Sequence, residues 1–261
     1  MSQSVRTVLV FCGLLIAVIA ASFFYSRTIR GVPDGSGPPA GSAAGPPAAD
    51  PRALHPEVTA GIDALRAQQY EQARQHLESI PSTDPSYLVA LQNLGTVHSA
   101  LGDFERSLAT LNELAELQPD DPHVLLSLAW AQHRLDLDVE AELSTLRALE
   151  VDPSNLVARY NVAYFRVARG GLAGAIRAYH RAVQQDVSQI HILRAAQDLE
   201  QLLVRRPEQA EVHYALAYFA RVLGQPSVEQ KELEAYLSIE SAGPAADVAR
   251  QRLAEVRSAG P

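Results

Sequence analysis

The chain has 261 residues, 47% hydrophobic and 20% charged, ordinary values for a polypeptide with a packed core. A formal net charge of −8 argues against a nucleic-acid surface. The single cysteine, Cys12, excludes an intrachain disulfide framework and a cysteine-rich metal site, so stability must come from helix packing.

In chain order, the first feature is an uncharged run from Thr7 to Tyr25, with Arg6 before it and Arg27 and Arg30 after it. About 20 apolar residues span a bilayer as a helix, and Phe23, Phe24 and Tyr25 stand where an interfacial aromatic belt sits. Residues 1–30 therefore read as a single-pass membrane anchor with its flanks. The rival reading is a cleaved signal peptide, because Val18-Ile19-Ala20 resembles a small-residue cleavage site. A lipoprotein is disfavoured, since Phe11 precedes Cys12 where a small residue is needed. Arginine supplies nearly all positive charge, Lys231 being the only lysine, which is consistent with a GC-rich bacterial genome and an inner-membrane location. The flanking charges nearly tie under the positive-inside rule, and the extracytoplasmic side is narrowly favoured for the downstream domain.

Residues 31–52 are rich in Pro, Gly and Ala and bury too little apolar surface to fold. They read as a disordered tether whose r.m.s. span is roughly 25 Å.

From residue 53 to 261 a period of 34 residues takes over. Pro85, Pro119 and Pro153 repeat at that interval, as do Ala73, Ser107, Ala141 and Ala175. Gly61, Gly95, Ala129 and Ala163 form a third column, and Leu94, Leu128 and Val162 a fourth. Each unit holds two apolar-periodic segments of helical length separated by a turn such as Leu101-Gly102-Asp103. Small residues on both helices permit close approach, and the proline ends the second helix. This pattern resembles the tetratricopeptide repeat, with 91–119 the nearest match: Leu91, Leu94-Gly95, Leu101-Gly102, Ser107, Leu111 and Pro119. Units are placed at 54–87, 88–121, 122–155 and 156–189. The last departs from the pattern, with Val187 for the closing proline and Arg159 at a usually apolar position. Residues 190–205 read as an inserted helix, 210–243 as a degenerate fifth unit with Glu229 at the small-residue position, and 245–257 as a polar capping helix.

The resemblance implies an all-α fold, a right-handed superhelical solenoid. It also implies that the second, fifth, ninth and twelfth positions of each unit face a concave groove. Those positions hold His123, Leu126, Trp130 and His133; then Val157, Tyr160, Tyr164 and Val167; then Glu211, Tyr214, Tyr218 and Arg221. Aromatic and arginine side chains are common interface anchors, so this set is the candidate site for a protein or peptide partner. Two other readings stay open: the aromatics are core, or helix 190–205 folds into the groove and blocks it. Val89, Gln92 and Thr96 carry no positive charge, which disfavours the carboxylate-clamp ligands known in this family.

No chemistry-bearing motif emerges. The eight histidines form no HExxH or HxH cluster, and GxSxG is absent. Gly170 to Gly174 is a helix–helix turn, lacking the strand and lysine of a phosphate loop. The expectation is therefore a non-catalytic scaffold or adaptor at a membrane, with no cofactor and no metal. The alternative is a structural subunit of a bacterial envelope assembly, of secretion or cytochrome-maturation type. Its oligomeric state is open.

Overall fold

The computed structural model describes residues 54–186 and 189–258. The expected anchor and tether over residues 1–52 lie outside this set. Among the described residues no helix is long and apolar enough to cross a membrane.

Twelve α-helices account for the regular structure of the described residues. They are α1 (Pro56–Arg66), α2 (Tyr70–Glu78), α3 (Tyr87–Leu101), α4 (Phe104–Leu117), α5 (Pro122–Arg134) and α6 (Asp138–Val151). Next come α7 (Leu156–Ala168), α8 (Leu172–Val183), α9 (Ile190–Arg205), α10 (Ala210–Val222), α11 (Pro226–Ile239) and α12 (Pro244–Ser258). Local chemistry starts several of them. Asp121 accepts from the backbone N–H of His123 at 2.8 Å, and Asn155 from that of Ala158 at 3.0 Å. Such caps satisfy amides that have no partner in the first turn. Proline occupies the first position of α1, α5, α11 and α12, where no N–H is needed.

The helices pair as α1/α2, α3/α4, α5/α6, α7/α8 and α10/α11. In the first three pairs, each second helix also packs on the first helix of the next pair, and α1 touches α3 as α3 touches α5. First helices thus share one wall of an all-α repeat solenoid. The periodic small residues sit where the paired helices meet. Ala73, Ser107, Ala141 and Ala175 are fully buried, as are Ala129 and Ala163. At Gly61 and Gly95 the fit admits no side chain, because an added Cβ would stand 2.6 Å from Leu77 and 2.7 Å from Leu111. Ser107 also donates its hydroxyl to the Gly95 carbonyl at 2.8 Å, tying α4 to α3.

The regular stacking changes after α8. Helix α9 packs on α7 and α10, and α10 in turn reaches both α7 and α8. The face of α9 that carries Ile192, Ala195, Leu199 and Leu202 is buried in the same core as Tyr160, Tyr164, Tyr179 and Phe219. Glu229, at the position that is small in earlier units, is buried and forms a two-toothed ion pair with Arg252 of α12, at 2.6 and 3.0 Å. Its carboxylate therefore joins the last pair to the terminal helix, a contact that an alanine lacks.

Candidate functional site

The residues expected to line a groove divide into three sets. Leu126, His133 and Val167 are core, with Leu126 packed among Leu125, Ala148 and Ala158. Tyr160, Tyr164 and Tyr218 are also buried, at 4%, 3% and 8% exposure, and only their edges reach a cleft. Trp130 and Tyr214 are half-buried, while His123, Val157 and Arg221 are exposed. His123 lies at the start of α5, away from the clefts that the other residues border. These positions therefore do not form one open groove. Helix α9 lies against α7 and packs beside Tyr160 and Tyr164, while Leu126 is enclosed by residues of α5, α6 and α7.

A latch fixes the C-terminal end of α9. His133 Nδ1 bonds Asp138, and its Nε2 faces the Tyr164 hydroxyl at 3.0 Å and the Arg205 guanidinium. With Asp138 ionised, Nδ1 carries the proton and donates, leaving Nε2 to accept from Tyr164 and Arg205. Arg206 donates to Asp138 at 2.9 Å and to the Ala168 carbonyl at 2.6 Å, and it also pairs with Asp136. Gln209 donates to the carbonyls of Val167 and Ala168 at 2.6 and 2.9 Å. The end of α7 and the α5–α6 turn are thus bound to the segment after α9.

Burial holds the His133 imidazole below its usual pKa, against the opposing bond to Asp138 and with help from the nearby Arg205 and Arg206 charges. Burial alone would raise the Asp138 carboxyl, but the bonds from His133 and Arg206 hold it below the usual carboxylate value. Burial also pushes the Tyr164 phenol up to about 12, and raises that of Tyr160.

Between α9 and the α5–α7 wall remains a cleft of about 340 Å³, bordered by Trp130, Val157, Tyr160, Tyr164, His191 and Asp198 among others. Trp130 stands in an aromatic set, 5.0 Å from Tyr164 and 5.4 Å from Phe165 between ring centroids. Asn161 borders the same cleft, is 5% exposed, and holds its Nδ2 without a hydrogen-bond partner. An amide in that position favours an acceptor in the cleft, which water or a ligand carbonyl can supply. Burial raises the Asp198 carboxyl, and the Arg194 charge offsets this only in part.

A second cleft, of about 320 Å³, lies among α8, α10, α11 and α12. It contains Tyr214, Tyr218 and Arg221 from the expected set. Asn161, Asp198 and the arginines of α8 were not anticipated. Asn161 offered a signal, as a polar residue amid the apolar side chains of 160–165. Asp198 and the arginines matter only because of how α9 and α10 dock, which no local pattern reports.

The tetratricopeptide-repeat family profile matches residues 64–131. Over 95 residues the chain is 29% identical to the Hsp70-Hsp90 organising protein of Plasmodium falciparum, covering 36% of this chain and 38% of that protein. The chain thus spans well under half the length of this relative. Among solved structures it is similar to MamA, at 15% identity and TM-score 0.47, over 69% of this chain and 94% of that one. It is also similar to YrrB, described as a TPR protein with an unusual peptide-binding site. That match has 14% identity and TM-score 0.47, over 75% of this chain and 91% of that one. The family profile thus covers residues 64–131, within a described region that forms a helical repeat solenoid.

Proposed function

We propose that this chain is a non-catalytic interaction module that binds a segment of another protein in the cleft between α9 and the α5–α7 wall. Repeats of this family serve protein–protein contacts, which supports the general reading. The observation that carries the specific one is the joint presence in that cleft of half-exposed Trp130 and the unpartnered Asn161 amide. The aromatic face supplies desolvated contact area, and the amide supplies a donor for a main-chain carbonyl. In this reading residues 7–25 anchor the module in a bacterial membrane, and residues 31–52 act as the tether. The tether keeps the module near membrane-bound partners and raises their effective concentration.

A second reading makes the chain a structural subunit of an envelope assembly, contacting its neighbours through the outer surface. Val139 and Leu143 favour it, lying one turn apart on α6 and 55% and 57% exposed. Co-purification of the full chain from membranes separates the two. Val157 is 37% exposed and lies in the first turn of α7, where an acidic side chain is tolerated. Val157→Glu is expected to strip the bound partner while leaving the fold intact, and Leu143→Glu to retain it. Retention by Val157→Glu together with loss in Leu143→Glu overturns the cleft assignment in favour of the second reading.

A further inference from the structure

The cleft at the C-terminal end has a charge opposite to that of the chain as a whole. Arg177 and Arg181 stand one turn apart on α8, and Arg221 joins them from α10. None of these three arginines has an ion-pair partner among the described residues. The fourth arginine of the cleft, Arg252, is neutralised by Glu229. The walls thus hold three uncompensated positive charges in a chain of net charge −8.

Beneath the arginines the surface is apolar and aromatic. Tyr214 and Tyr218 form one wall, with Arg221 5.8 Å from the Tyr218 ring centroid, and Val248 of α12 is 54% exposed at the edge. Guanidinium groups match carboxylates in shape and charge, and arginine and tyrosine together are typical interface anchors. A solvated cationic surface has no need of an apolar floor between its charges. The combination calls for a ligand that alternates carboxylates with large apolar side chains.

We propose that this cleft is a separate docking site for an acidic peptide segment of a partner protein, one in which Asp or Glu alternates with Leu or Phe. Carboxylates pair with Arg177, Arg181 and Arg221, while an apolar side chain lies against Tyr214 and Tyr218. The site is independent of the cleft beside α9 and stands whether or not that cleft binds.

The test is fluorescence anisotropy on the full chain with two labelled peptides. One alternates Glu and Asp with Leu and Phe, and the other carries Gln and Asn in place of every acid. We expect saturable binding of the acidic peptide, weakened by added salt, with the amide peptide at least about tenfold weaker. The triple variant Arg177→Gln, Arg181→Gln, Arg221→Gln is expected to weaken the acidic peptide by at least about tenfold. Because these side chains form no ion pairs, their loss leaves the fold in place, which an unchanged melting temperature checks. Val157→Glu is expected to have no effect on this peptide. The proposal is overturned if the acidic peptide fails to bind at millimolar concentration, or if the amide peptide binds as well. It is also overturned if the triple variant binds normally, or if Val157→Glu alone removes binding. Displacement by single-stranded DNA of equal charge would make the cleft a general polyanion surface, and would overturn the assignment to a peptide.

Discussion

Gly95 leaves no room for a methyl group, since Leu111 fills the space at 2.7 Å from where a Cβ would stand. Gly95→Ala is expected to destabilise the solenoid by about 1–3 kcal/mol through overpacking. Leu111→Ala should cost about 2–5 kcal/mol through the cavity it leaves. The double variant should cost less than the sum of the two, because the added methyl occupies part of that cavity. Chemical denaturation of the four proteins checks this, and strict additivity would place the crowding elsewhere. His133 yields a second prediction at the same scale. Its pKa is depressed in the folded state, so the unfolded chain binds more protons once the pH falls below about 6.5. Stability should therefore begin to drop as the pH falls through about 6.5, and keep dropping until the lower folded-state value of His133 is passed. The Asp138 carboxyl contributes its loss only at lower pH, below its ordinary value. Asp198 acts in the opposite direction, since its raised pKa makes acidification favourable. The slope of melting temperature against pH should be shallower in His133→Gln than in the parent chain, and an unchanged slope would remove the imidazole from the pH response.

At the scale of the element, α9 is held by what its C-terminal end can reach. Arg206 connects the segment after α9 to Asp138, Asp136 and the Ala168 carbonyl, so several charge-assisted bonds converge on one side chain. Arg206→Gln should cost about 1–3 kcal/mol locally. Hydrogen exchange in Ile190–Arg205 is then expected to accelerate by about tenfold or more, with α3 and α4 unchanged. Equal acceleration throughout would mean that α9 has no independent latch. The same helix is where the sequence becomes hard to read. The stripe of Ile192, Ala195, Leu199 and Leu202 announces a buried face, but amphipathicity names no neighbour. That α9 covers Tyr160 and Tyr164 depends on contacts across some 30 residues of chain, and so these side chains read as groove-lining from spacing alone. The small-residue columns were legible because each requires only its own helix pair. Gly61 against Leu77 and Ser107 against Gly95 are encounters within one unit, repeated wherever the period repeats.

At the scale of the whole molecule, each pair of helices buries its faces against adjacent pairs, which makes the period visible and the assembly extensible. Helix α9 interrupts that regularity and borders one cleft, while a second, unlike cleft lies among α8, α10, α11 and α12. One is aromatic with a free amide at Asn161, and the other is ringed by Arg177, Arg181 and Arg221. The cleft beside α9 carries the proposed capture of a partner, and the exposed apolar residues of α6 carry the alternative proposal of a structural subunit. The most direct measurement is site-specific photocrosslinking in cells, with p-benzoyl-phenylalanine placed in the full chain at position 157 or at position 139. The cleft beside α9 predicts a discrete protein adduct from position 157 and none from position 139. Adducts from position 139 with none from position 157 would contradict it.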